Sequence, residues 1–208
     1  MEPIWSYPVT SAFVIGNGES RKALDIPPLK KDYVLIGCNA IHRDITVDHL
    51  VCCDRRMVDE ALGNKQTAGT LVHVREDWYH YFRKIKKNKN IRTVPPIPYE
   101  SLQKHDMPEH WGSGCYAVLL AASIGFKEVN LLGFDLYPSN NKVNNVYKGT
   151  DNYATADARA VDYSYWAHQI SKVFQCYPDI SFVVHNLNDW EMPSQWQQSN
   201  VKFAAIGL

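Results

Sequence analysis

The 208-residue chain has no apolar run near the roughly 20 residues that span a bilayer, and no net charge, with Lys+Arg and Asp+Glu each 22. The first absence argues against a membrane-spanning helix. The second removes the global field that draws basic proteins to nucleic acid or anionic lipid. No C-x-x-C pair occurs among Cys38, Cys52, Cys53, Cys115 and Cys176, so a structural zinc site of that kind is not expected. Five is an odd number, which points to free thiols and a cytoplasmic protein. The opening Met1-Glu2-Pro3-Ile4-Trp5 lacks the basic-then-apolar profile of a secretory signal. Walker loops, H-E-x-x-H motifs and G-x-S-x-G elbows are also missing. What the chain does have is 45% hydrophobic residues against 21% charged. That supplies the core of one domain over residues 1–208 and excludes a disordered chain.

Short apolar runs alternate with helical segments. Strands are expected at Ser11–Ile15, Tyr33–Gly37, His49–Cys53, Thr70–Val74, Val129–Gly133 and Ile180–Val184. Helices are expected at Glu19–Leu24, Met57–Leu62, Ser113–Ile124 and about Asp157–Gln175. Continuous apolar strands between helices predict a single doubly wound, Rossmann-like α/β domain with a mostly parallel sheet. The basic run Arg83–Arg92 reads as a solvated helix end and loop. Beside it, Trp78, Tyr79, Tyr81 and Phe82 suit an acceptor or subunit surface, or equally the apolar face of a helix. The polar, tyrosine-punctuated stretch over about 138–153 directly follows a strand end and reads as a lid.

In such sheets ligands bind beyond the carboxyl ends of the strands. Those ends carry Gly16-Asn17-Gly18-Glu19-Ser20, Cys38-Asn39, Cys53-Asp54-Arg55 and Gly133-Phe134-Asp135-Leu136-Tyr137, joined by Gly112-Ser113-Gly114 at a helix start. Glycines let backbone approach phosphate, helix N-termini aim N–H groups at anions, and Asn amides suit ribose or base edges. A nucleotide pocket follows. Arg21 stands where a dinucleotide fingerprint needs its third glycine, so a nicotinamide cofactor is not indicated. Cys115 lies near a helix start that would stabilise a thiolate, or is a small packing residue.

These residues resemble a known family. Val14–Ser20 (VIGNGES) and Val34–Ala40 (VLIGCNA) are similar to the opening of the bacterial Campylobacter-type α-2,3/2,8-sialyltransferases, a G-N-G-P-S turn followed by a strand ending in C-N. Gly112–Tyr116 (GSGCY) and Gly133–Tyr137 (GFDLY) resemble that family's S-G-x-Y helix start and G-I-D-F-Y strand end. The likeness covers roughly residues 12–55 and 111–138. A related branch, MptE-like and including hydroxymethylpterin diphosphokinases, shares the turn, the Asp after the third strand and the S-G helix.

The resemblance implies a CMP-activated sugar used without a required metal cofactor. It implies that Asn17, Asn39, Ser113 and Gly114 contact the nucleotide and that Gly16 and Gly18 give it room; Ser20, Gly133 and Asp135 complete the binding set. Tyr137 would hydrogen-bond the departing phosphate, with Tyr147 as a second such tyrosine. The family's proline is Glu19 here, and His110-Trp111-Gly112 replaces an Arg-x-Thr. The family's general-base histidine is absent; Asp157 stands in that region as a substitute base or a helix N-cap, with His168 and His185 as further candidates. The favoured reading is a glycosyltransferase acting on a nucleotide sugar and a glycan or other hydroxyl acceptor, in a chain that could form a homo-oligomer. Its alternatives are a diphosphokinase in which Asp54 and Asp135 share Mg²⁺, and a nucleotide-binding module without catalysis.

Overall fold

A computed structural model describes residues 7–86, 89–138 and 140–206. Its strands are β1 (Ser11–Ile15), β2 (Val34–Cys38), β3 (His49–Val51), β4 (Leu71–Val74), β5 (Ile91–Thr93), β6 (Glu128–Leu132), β7 (Ser181–Asn186) and β8 (Val201–Ala205). The helices are α1 (Arg55–Gly63), α2 (Glu76–Lys86), α3 (Ser113–Ile124) and α4 (Ser164–Cys176). One sheet of order β5-β4-β3-β2-β1-β6-β7-β8 results, and every pairing in it is parallel. Strand order reverses between β1 and β6. The expected doubly wound fold is therefore observed. Among the described residues no helix is long and apolar enough to cross a membrane.

Helix α3 is apolar on all sides because it packs on β1, β2, β3 and β6 and under α4; Cys115 through Ala122 are all buried. Its C-terminus stops at Gly125, whose φ of 92° suits a glycine cap. Beneath α4, Phe174 meets Phe182 at 4.6 Å and Trp196 at 5.6 Å between ring centroids. Trp196 is fully buried and donates its indole N–H to the Ala167 carbonyl at 2.8 Å. Each such side chain contributes about 1.5–3 kcal/mol of apolar burial, which holds α4 against the sheet.

Two features depart from the sequence reading. Strands β5 and β8 were not expected; both are edge strands, and β8 exposes Lys202, Phe203 and Ala205, which hides the apolar run. The expected helix over Asp157–Gln175 begins only at Ser164, where Asp162 Oδ1 accepts the Ser164 N–H at 2.8 Å. Before it, residues 141–143 and 158–160 pair across the Lys142–Arg159 bridge, so this stretch is extended rather than helical. The aromatic group belongs to α2: Phe82 is buried, Trp78 donates to the Cys53 carbonyl at 2.9 Å, and Tyr81 remains exposed. Lys87 and Asn88 of the basic run lie outside the described residues.

Two histidines sit in the sheet itself. His49 Nδ1 and His73 Nε2 share a hydrogen bond at 2.8 Å, and the Tyr7 hydroxyl is hydrogen-bonded to His49 Nε2. Burial pushes His49 down to about 4 and His73 to about 3, against 6.5 for an ordinary imidazole. The unfolded chain takes up protons below pH 6.5 while the folded chain resists until those lower values. Their contribution to stability is therefore whole above pH 6.5 and is lost as pH falls toward 4. Each neutral imidazole loses about 1.4 kcal/mol of stability per pH unit in that window. Urea midpoints should fall clearly between pH 7 and pH 5; an unchanged midpoint would contradict the neutral buried pair.

Candidate active site at the sheet switch point

The loop after β1 is clamped onto the end of β6. Gly16 donates its N–H to the Leu132 carbonyl at 2.7 Å, and Gly18 donates to Gly133 at 2.8 Å. A Cβ on Gly16 would stand 2.4 Å from the Gly133 oxygen, and one on Gly18 would stand 2.4 Å from the Asp135 carboxyl carbon. These glycines make room for the protein's own chain, a nearer neighbour than the nucleotide the motif suggested. Gly133, at φ 75°, completes the crossing.

Asp135 is buried, and its carboxylate accepts both the Ser20 N–H, at 3.0 Å, and the Ser20 hydroxyl. Ser20 thus braces Asp135 and lines a neighbouring groove with Tyr137 and Trp190 rather than the main cleft. Glu19 faces Lys22 at 3.1 Å and Lys148 at 3.2 Å. Although burial opposes it, those lysines hold the carboxyl below its usual range. This accounts for a carboxylate in the turn.

Arg21 is 5% exposed and donates to four oxygens: Gly16 O at 3.3 Å, Asn17 Oδ1 at 3.1 Å, Asp44 Oδ2 at 3.0 Å and the Tyr147 hydroxyl at 2.7 Å. Tyr147 is buried, donates its hydroxyl hydrogen bond to Asp44 Oδ2 at 2.6 Å, and does not line the cleft. Tyr153 lines it instead. Its hydroxyl accepts from Asn17 Nδ2 at 3.2 Å and the Ala40 N–H at 3.4 Å. Asn17 Nδ2 also donates to Cys38 O at 3.3 Å, so this amide is largely occupied within the protein. The segment 140–153, expected as a lid, is docked: Val146 donates to Asn17 O at 2.8 Å, and Arg43 grips Thr150 Oγ1 at 2.7 Å and Asp151 O at 2.9 Å.

What these elements enclose is a cleft of ≈ 460 Å³. Gly16, Asn17, Gly18, Asn39, Ser113, Gly114, Gly133, Asp135 and Tyr137 all line it. The N-terminus of α3 opens into it without a capping side chain, leaving first-turn N–H groups for an anion. Ser113 Oγ accepts the Cys53 N–H at 3.0 Å, which fixes that helix end to β3. Asn39 is the unusual residue. Its φ is 52°, and its Oδ1 is buried without a hydrogen-bond partner. Such an acceptor in a cleft wall invites a ligand donor.

Asp54, Arg75, Glu109 and His110 also line the cleft; Arg75, in a loop, and Glu109, in a short 3-10 turn, escaped the sequence reading because they lie outside any motif. Asp54 and Asp135 share the cleft, but the Asp135 carboxylate is engaged by Ser20. Asp157 is fully exposed, hydrogen-bonded to Thr155, and outside the cleft; that bond lowers its carboxyl further, the wrong direction for a base. His168 contacts Asp106 Oδ1 at 3.0 Å and His185 contacts Asn130 Oδ1 at 2.7 Å, both away from the cleft. Cys38, Cys53 and Cys115 line the wall, yet burial pushes Cys38 and Cys53 up to about 12 and Cys115 higher still. They are protonated packing groups, and a Cys115 thiolate is not supported. Tyr137 is half-buried and edge-on to Tyr163, 5.0 Å between centroids. Burial, then Tyr163 and Glu191, raises its hydroxyl, which stays a proton donor.

No protein-family model matches the chain, and no curated protein matches it in sequence. Solved structures do. The monofunctional α-2,3-sialyltransferase Cst-I of Campylobacter jejuni superposes with a TM-score of 0.64 at 15% identity, covering 95% of this chain and 83% of that one. The chain shares its fold with the Campylobacter sialyltransferases. A further α-2,3-sialyltransferase from that organism gives a TM-score of 0.59 at 15% identity over 98% of this chain and 86% of that one. The sialyltransferase CstII, solved with the substrate analogue cytidine-5'-monophosphate, gives 0.58 at 14% identity over 86% of this chain and 81% of that one.

Asn39 yields a stability test. A glycine there relieves the positive φ and removes the unpartnered carbonyl, so Asn39→Gly should stabilise the ligand-free protein by about 1 kcal/mol. Urea denaturation would read this as a higher midpoint. A lower midpoint would mean that Asn39 is satisfied within the fold.

Proposed function

We propose that the cleft binds a nucleotide-activated sugar, a CMP-sugar in preference, and transfers the sugar to a hydroxyl acceptor without a required metal. The observation that carries this reading is the unpartnered Asn39 Oδ1 in the same cleft as the uncapped α3 N-terminus. One offers an acceptor for a ribose hydroxyl or base amine, the other a set of donors for phosphate. The CMP bound by CstII, a protein of the same fold, supports a cytidine nucleotide.

In this reading the first-turn N–H groups of α3 hold the phosphate, and Tyr137 donates to its oxygen as the sugar–phosphate bond breaks. Charge grows on that oxygen in the transition state, so a donor placed there acts mainly on rate. Tyr153 and Asn17 support the wall through their mutual hydrogen bond. Asp157, outside the cleft, is replaced as proton acceptor by His110, the one imidazole among the described residues lining the cleft. Its backbone carbonyl accepts from Gln169 Nε2 at 3.1 Å, which fixes the loop carrying it. A neutral imidazole can accept the proton of an attacking hydroxyl.

The test is consumption of CMP-sialic acid, with or without acceptor, in the presence of a chelator. Tyr137→Phe should lower turnover by roughly ten- to a thousandfold while CMP affinity changes little. His110→Gln should lower transfer by roughly a hundred- to ten-thousandfold while CMP affinity changes little. Normal turnover in Tyr137→Phe would remove that role from the residue. If no CMP-, UDP- or GDP-sugar is consumed although nucleotide binds, the cleft is a binding module and the transferase reading fails.

A further inference from the structure

A second cluster lies outside the cleft, where the segment 104–106 meets α4. His168 Nε2 is 3.0 Å from Asp106 Oδ1, and His105 Nε2 is 3.9 Å from Asp106 Oδ2. One ligand-type atom from each of the three residues lies within 4.8 Å of the others. Tetrahedral coordination at bond lengths near 2.0–2.2 Å requires donor separations of about 3.3 Å. Rotations of the two imidazoles about their side-chain torsions span the difference.

The surroundings hold the carboxylate and bring both rings to it. Asp106 is 7% exposed, and its Oδ1 accepts the Tyr99 hydroxyl at 2.7 Å. His105 stacks on Tyr165, 5.4 Å between centroids and 14° between planes, and meets His168 edge-on at 4.7 Å. Two imidazoles on one buried carboxylate exceed what an ion pair needs. They match a two-nitrogen, one-oxygen donor set, and Tyr99 stands as the outer group that orients the carboxylate. Asp106 and Tyr99 also line a groove of ≈ 1160 Å³, from which water can fill the remaining position.

We infer that His105, Asp106 and His168 bind one borderline divalent cation, Zn²⁺ or a close relative, with solvent completing the shell. The site is independent of the proposed transferase reading but adjoins its machinery. Gln169, next to His168, donates to the His105 carbonyl at 2.6 Å and the His110 carbonyl at 3.1 Å. The flanking residues Trp166 and Ile170 line the cleft. A cation here staples α4 to the loop that carries His110 to Gly112, and so stiffens the cleft mouth.

The experiment is calorimetric titration of Zn²⁺ into the full chain carrying Cys176→Ser, which removes the exposed thiol. One equivalent is expected to bind, and Mg²⁺ at the same concentration is not. Melting temperature should rise by roughly 5–10 °C at a hundredfold excess over Kd. Co²⁺ should give visible ligand-field bands of a nitrogen–oxygen site. His105→Gln and His168→Gln, each checked for native circular dichroism, should each weaken Zn²⁺ at least about a hundredfold. CMP binding, measured separately, should survive both changes. The inference is overturned if the starting protein binds no equivalent of Zn²⁺, or if either variant binds it as tightly as its parent.

Discussion

The buried guanidinium of Arg21 is the constraint around which the cleft is arranged. A cation that is 5% exposed must be met by oxygens on every side, because an unpaired charge in the interior costs several kcal/mol. Arg21 draws those oxygens from the turn after β1, from Asn17, from Asp44 beyond β2 and from Tyr147 in the segment after β6. The guanidinium carbon also sits 5.0 Å from the centroid of the Tyr147 ring. Three chain segments distant in sequence are thereby held in one arrangement. The segment 140–153 docks because Tyr147 completes the shell of this cation.

From that point the cleft wall follows in order. Arg21 fixes the oxygen of the Asn17 amide, which turns Nδ2 toward Tyr153 and the Cys38 carbonyl. Tyr153 in turn receives the Ala40 N–H, so the chain just past Asn39 is pinned. Asn39 itself is left with a positive φ and an unmet acceptor directed by a scaffold that satisfies its neighbours. Local strain concentrated where the surroundings are otherwise satisfied is a common property of ligand sites. Ser113 supplies the opposite wall by tying α3 to the end of β3.

Much of this was legible in the residues. Apolar runs ending at Ile15, Gly37, Cys53 and Gly133 placed the cleft at one sheet edge, and the Ala- and Leu-rich run between Ser113 and Gly125 gave α3 its bounds. What stayed hidden depends on partners far away in sequence. Tyr147 and Tyr153 are alike as residue types; only Arg21 and Asp44 decide which of them turns inward from the cleft. Asp157 resembled a helix start, but the ladder between residues 141–143 and 158–160 displaces the helix to Ser164. Arg75 lies in a loop and His110 in a short 3-10 turn, whose courses no periodicity reveals. Glu19, which stands where the similar family has proline, is matched by Lys148, a partner far away in sequence.

The central claim is that an unmet acceptor and an uncapped helix end together select a cytidine nucleotide. Titration calorimetry of CMP into the wild-type chain and into Asn39→Gly, both in chelator, addresses it most directly. The account predicts one CMP bound by wild type without metal, and affinity reduced by roughly ten- to a hundredfold in the variant, as expected for one lost hydrogen bond to a buried acceptor. Equal affinity in the two proteins, or binding of ATP with Mg²⁺ and none of CMP, would contradict it.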